Sequence, residues 1–198
     1  TSVDAVGTDR IGRRTVLGAQ EYSSGDFFTP GRLQANADAI KDYYLSHGYR
    51  DASVEVSFTE DEEKNTVSIL YTVSEGKQYK VRDILFEGIS GLSADDIQKV
   101  MTQKERSFFN GGNFVQANIE TDRNAVIALY GREGFPDARI DSVDVVPTGE
   151  EDEKTIYVNL IYTITEGDRW TIGPVSFSGN SIYSDDQISA LITMKEGD

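Results

Sequence analysis

Cysteine is absent from this chain of 198 residues. That excludes disulfides, thiolate chemistry and cysteine-based zinc sites, and leaves any fold to be held by packing alone. There is one histidine, which leaves hydrolytic triads and histidine-based metal sites little to build on. Basic residues are outnumbered 19 to 34, for a net charge of −15. Nucleic-acid binding, which needs clustered Lys and Arg, is disfavoured, and the overall charge gives no pull toward an anionic membrane. No apolar run approaches the roughly 18 residues of a spanning helix. Thr1 to Arg10 contains no apolar segment of a signal peptide, an absence of little weight if the chain is a piece of something longer. What is present, 38% hydrophobic and 27% charged residues, is the composition of a folded globular protein and is too apolar for a disordered one.

The chain repeats itself. At an offset of 86, Gly25, Phe28, Ala39, Tyr44, Gly48, Asp51 and Ala52 recur as Gly111, Phe114, Ala125, Tyr130, Gly134, Asp137 and Ala138. At an offset of 91, Thr66–Met101 lies over Tyr157–Ile192 with 11 identities in 36 positions. Chance would give roughly two. Among these identities are Tyr71 with Tyr162, Glu75 with Glu166, Gly88 with Gly179 and Ser93 with Ser184. A period near 90 residues is too long for a solenoid unit, so each copy is expected to be a small domain with its own core. Residues 77–167 read as one complete copy. Residues 1–76 read as a copy without its opening strand, and 168–198 as the strand and helix that begin a third.

The complete copy opens with Val81, Ile84 and Phe86, a strand ending at Gly88. Ser93 followed by Ala94, Asp95 and Asp96 marks a helix start, echoed at Ser184 to Gln187. A second helix carries, in the first copy, the stripe Leu33, Ala37, Ile40 and Tyr44 after Thr29-Pro30. Gly48 and Gly134 fall where a left-handed helix cap belongs. A hairpin closes each copy, with Val54, Val56 and Phe58 alternating on one strand and Val67, Ile69, Tyr71 and Val73 on the other. The order β-α-α-β-β, with one apolar strand face and two amphipathic helices, predicts an α+β domain whose helices cover one face of a three-stranded sheet.

That order resembles the polypeptide-transport-associated, or POTRA, domain. So do Tyr44–Ala52 (YLSHGYRDA) with its echo Tyr130–Ala138 (YGREGFPDA), the closing Glu75-Gly76 and Glu166-Gly167, and Phe177-Ser178-Gly179-Asn180. The resemblance implies tandem POTRA domains, each with a mixed sheet, from the periplasmic part of an outer-membrane β-barrel assembly protein of the BamA type. It implies binding without catalysis, cofactor or metal. The implied partners are unfolded outer-membrane proteins, assembly lipoproteins and a C-terminal membrane barrel of the same chain; nucleic acid is not among them. An autotransporter-assembly factor or a two-partner secretion transporter is the alternative within the superfamily. A division-associated relative would carry a single copy, and an enzyme finds no convergent acid pair. One contact mode the resemblance implies is β-augmentation, in which a partner strand adds to an open sheet edge. By position, the edge residues would be Ser53, Val54, Glu55, Val56, Ser57 and Phe58 in the first copy. In the second they would be Ile140, Asp141, Ser142, Val143, Asp144 and Val145.

Other features have plainer readings. His47 sits just before a cap glycine, where the repeat places Glu133, as a solvated helix end. The acidic runs Glu60–Glu63 and Glu150–Glu153 lack the spaced oxygens of a calcium loop and read as solvated hairpin turns. Glu55 is expected on the outer sheet face, and one of Asp141 and Asp144 must face outward because they stand an odd number of positions apart. Phe28 and Phe114 are assigned to the core. Phe108 lies over Tyr22 and Phe109 over Ser23, which leaves that pair open between core and a partner-contact patch, with Phe109 the more exposed.

Overall fold

The computed structural model describes residues 1–193 and 197. The first copy runs β1 (Ser2–Val6), α1 (Arg13–Gly18), α2 (Leu33–Ser46), β2 (Ser53–Asp61) and β3 (Thr66–Ser74), with a 3-10 turn at Pro30–Arg32 leading into α2. The second runs β4 (Gln78–Glu87), α3 (Ala94–Val100), α4 (Gln116–Arg132), β5 (Arg139–Glu151) and β6 (Thr155–Thr165). Each forms its own sheet, ordered β1-β3-β2 and β4-β6-β5, in which the central strand is parallel to the first and antiparallel to the hairpin partner.

The first copy therefore does have its opening strand. Ser2 to Val6 pair in parallel with Ser68 to Thr72, which corrects the expectation drawn from sequence. Only Val3 and Ala5 turn inward on this strand, too short a pattern for alternation to stand out. The third segment differs in the opposite sense. Its helix α5 (Asp185–Ser189) forms with the capping box at Ser184 and Gln187. Residues 169–179 are not a strand, because among the described residues no neighbouring strand supplies ladder hydrogen bonds. Asp198 lies outside the described residues.

Each repeat closes a separate core between helices and sheet. In the first, Ile40, Tyr44, Ile69 and Tyr71 are fully buried; in the second, Val126, Tyr130, Leu160 and Tyr162 take the same places. Aromatic contacts recur with them: Tyr44 meets Tyr49 edge-on at 5.6 Å, and Tyr130 meets Phe135 edge-on at 5.7 Å. Phe114 is buried, while Phe28 is half-buried and leans on Phe58 at 5.1 Å. Ser93 caps α3 by accepting the Asp96 amide, and Asp95 and Asp96 sit in its first turn, as the sequence indicated.

A buried carboxylate locks each core. Glu75 accepts the amides of Arg10 at 2.7 Å and Ile11 at 3.0 Å and the Tyr44 hydroxyl at 2.8 Å. Glu166 accepts the Ser90 amide and hydroxyl, the Gly91 amide and the Tyr130 hydroxyl, all between 2.7 and 3.0 Å. Burial raises the Glu166 carboxyl, but these donors outweigh it and hold the pKa at about 2. Burial and then the neighbouring carboxylate push the Tyr44 and Tyr130 hydroxyls well above the usual tyrosine value. The loop after the first strand, the end of the second helix and the end of the last strand thus meet at one group in each repeat.

Candidate functional site

Both candidate strands lie at sheet edges, since β3 and β6 occupy the centres. The two edges differ in quality. β2 pairs with β3 without interruption from Ser53↔Ser74 to Asp61↔Thr66. Val54 and Val56 pack against the core from this edge, while Ser53, Glu55 and Ser57 are exposed. Phe58, on the same face as the valines, remains 45% exposed, and this leaves a strip of apolar surface beside the open backbone.

β5 is broken twice. Its register shifts between Ile140 and Ser142 and again between Pro147 and Glu151. The first bulge resolves the parity problem of the sequence. Asp141 is the extra residue, so Ile140, Val143 and Val145 all pack on the core while Asp141 and Asp144 are both exposed. Asp141 accepts the Thr165 hydroxyl at 2.5 Å and Arg139 Nε at 2.9 Å; the first of these does most to lower its pKa. Pro147 offers no amide donor to any added strand. Only Ser142 to Pro147 form a regular stretch.

The opposite edges are less available. β1 has five residues, and the Thr1 carbonyl already accepts the Gly25 amide at 2.9 Å. Along β4, the segment between α3 and α4 folds back as a cover. Phe114 N–H reaches Tyr79 O, Val81 N–H reaches Gly112 O, and Arg106 N–H reaches Val81 O, at 2.7 to 2.9 Å. Further along, Glu105 Oε1 accepts the Ile84 amide at 2.8 Å. From Tyr79 to Ile84 this edge is thus closed from within, and its backbone groups there are taken.

This covering segment carries Phe108 and Phe109, which are 94% and 95% exposed. Tyr22, the repeat-equivalent of Phe108, is buried and donates its hydroxyl to Thr29 O, so the sequence equivalence does not extend to environment. The acidic tips are turns. Asp61 accepts the Lys64 amide at 3.0 Å, and Asp152 accepts the amides of Lys154 and Thr155 at 2.7 Å. Among the described residues no group of three acids or histidines could hold a metal ion. His47 and Glu133 both occupy helix C-cap positions, His47 with Nδ1 2.7 Å from Tyr43 O.

Sequence reasoning did not foresee the joint between repeats. The Gly48 carbonyl accepts the Tyr79 amide at 2.7 Å, and the Gly134 carbonyl accepts the Trp170 amide at 2.7 Å. Gln78 Nε2 donates to His47 O and Arg169 Nε to Glu133 O, each at 2.9 Å. The signal was there as the recurring glycines, but their partners lie beyond the copy that contains them.

Two β-α-α-β-β domains thus stand in series, each with its own core and one open sheet edge. The family model of POTRA, described as surface antigen variable number repeat, matches residues 1–76 and 79–167, and the chain belongs to this family. It is 29% identical over 195 residues to a Treponema pallidum (strain Nichols) protein named for outer membrane protein assembly, covering 98% of this chain and 23% of that one. To the outer membrane protein assembly factor BamA of Nitratidesulfovibrio vulgaris it is 22% identical over 194 residues, covering 96% of this chain and 24% of the relative. The chain thus spans about a quarter of the length of these relatives. The crystal structure of Haemophilus influenzae BamA POTRA3-5 shares the fold, with a TM-score of 0.54 at 23% identity, covering 100% of this chain and 77% of that one.

Proposed function

We propose that this chain is the periplasmic receiving arm of an outer-membrane β-barrel assembly protein, and that it works by binding rather than catalysis. Unfolded outer-membrane proteins pair as added strands with the open edge of β2 and, over a shorter stretch, with that of β5. Assembly lipoproteins dock on the same arm, which leads to a membrane barrel in the same polypeptide. The observation that carries this reading is the nine-residue β2 edge with unbroken register. An open edge presents backbone donors and acceptors with little demand on sequence, which suits a client recognised before it folds. The names of the relatives, which concern outer-membrane protein assembly, supply the context.

The test is an NMR titration of the chain with a peptide from an unfolded barrel protein. Shifts confined to Ser53–Phe58, with weaker ones at 140–146, are expected. Shifts located on the helices or on β4 would overturn the reading.

A further inference from the structure

The Phe108–Phe109 turn is too well built to be a frayed loop. Ser107 N–H donates to Asn110 O at 2.9 Å, Asn110 N–H to Ser107 Oγ at 3.1 Å, and Gly112 N–H to Asn110 Oδ1 at 2.8 Å. Gly112 has φ +64, and a Cβ there would stand 2.5 Å from the Arg106 nitrogen, so the return of the turn requires glycine. Held on this base, the two rings stack edge-on at 5.0 Å and project almost wholly into solvent. A fixed pair of bare phenylalanines at a protruding tip is costly in water and is consistent with an apolar medium that receives it.

The charge around the turn is opposite to that of the chain. Lys104 and Arg106 lie within the segment, and Lys80 faces it across the bridge to Asn113. The one carboxylate of the segment, Glu105, is turned inward onto the Ile84 amide and Gln98 Nε2. Asp83 on β4 and Glu150, which shares a surface hollow with Arg106, both pair with Arg82. Arg106 is fixed over the Tyr157 ring, 5.2 Å from its centroid, with Nη1 donating to the hydroxyl at 3.1 Å. Phe27, in the first repeat, is equally exposed, but it stands without a paired ring and beside Asp26.

We propose that the Phe108–Phe109 turn is a contact point for a phospholipid surface bearing anionic headgroups. The rings enter the interfacial region while Lys80 and Arg106 meet the phosphates; Lys104 Nζ is held on the Gln98 carbonyl at 2.7 Å and adds only its charge nearby. At about 0.15 M salt the screening length is about 8 Å, so the local cations govern this contact and the distant acids of a −15 chain do not. This second attachment would fix the arm against the bilayer and leave the β2 edge free. It stands on the turn alone, independent of what pairs with the sheet edges.

The experiment is co-flotation of the whole chain with vesicles of phosphatidylglycerol in phosphatidylcholine, and with phosphatidylcholine alone, at about 0.15 M salt. The expected result is partition onto the anionic vesicles, reduced about tenfold or more by Phe108→Ser with Phe109→Ser. Lys80→Gln reduces it about fivefold, and Phe27→Ser leaves it unchanged. Both rings of the turn are exposed, so the double variant keeps the parent circular-dichroism spectrum. The proposal is overturned if the parent stays in solution or floats equally with neutral vesicles. It is also overturned if the double variant floats as well as the parent, or if Phe27→Ser costs as much. Self-association that depends on the two rings, seen by sedimentation without vesicle binding, would assign the turn to a contact between copies instead. Neither result touches the peptide titration on β2, so the two readings fail separately.

Discussion

Replacing Glu166 by Gln tests whether the buried carboxylate holds the second repeat together. The carboxylate accepts from two backbone amides and two hydroxyls. Glutamine keeps the shape but has one acceptor oxygen, and its NH2 group faces donors. At least one buried amide or hydroxyl loses its partner, at about 2–4 kcal/mol near neutral pH. The acid dependence is the sharper test. With a folded-state pKa of about 2 against an ordinary 4.5, the unfolded chain binds the proton more readily than the folded one. The stabilisation is complete above the unfolded value and is lost as pH falls from about 5 toward 2, and the gap corresponds to about 3 kcal/mol. Urea unfolding followed by circular dichroism, run across this range on parent and Glu166→Gln, isolates the group, because exposed carboxylates contribute equally to both proteins. The stability difference between the two should shrink by about 3 kcal/mol toward acid. A difference that stays constant from neutral pH to pH 2 would refute the assignment.

Three glycine substitutions probe the backbone directly. Gly88→Ala places a Cβ 2.1 Å from Ile164 O at φ +81, and should lower stability by at least about 2 kcal/mol in thermal or urea unfolding. Gly18→Ala, with nothing within 4 Å, should be neutral or slightly stabilising. Gly134→Ala, where a Cβ would stand 2.7 Å from Trp170 O at φ +89, should free residues 169–172 while the second repeat stays folded. Raised 15N relaxation disorder of the Trp170 amide, with unchanged shifts for β5 and β6, is the expected reading.

Much of this architecture was legible because identities at two offsets amount to an internal alignment. Helix stripes such as Leu33, Ala37, Ile40 and Tyr44 and the alternation of Val67 to Val73 translate directly into buried faces. Edge position followed from the hairpin order once the fold was known. Three things were not legible. The β1 strand presents two inward residues, below what periodicity can resolve. The bulge at Asp141 is a register event set by β6, so parity counting on β5 alone left its two aspartates undecided. The exposure of Phe108 depends on the covering of β4 by the segment 106–114, a tertiary pairing that no local pattern announces. Tyr44, Tyr130, Glu75 and Glu166 were visible as recurring residues; that each tyrosine bonds its own glutamate became apparent only in three dimensions.

The same recurring residues also explain how one repeat is attached to the next. Tyr44 and Tyr130 stand at the third position from the end of their helices, and each carbonyl accepts the amide two residues past the cap, from Tyr49 and Phe135. With Gly48 and Gly134 left-handed at φ +89, both helices close in the same six-to-one motif. The glycine does more than permit the turn. Its missing Cβ admits the backbone of the following repeat at Tyr79 or Trp170, and in either joint a methyl group would press on the incoming carbonyl. The tyrosine that anchors this cap also donates its hydroxyl to the glutamate of the Glu-Gly pair, and the chain leaves for the next repeat immediately after that pair. Both sides of the joint, helix end and departing strand, are therefore tied to one buried cluster. The core of each repeat thus sets the place where the next one attaches, while the attachment itself is a backbone hydrogen bond at the cap glycine that can be lost with that core intact.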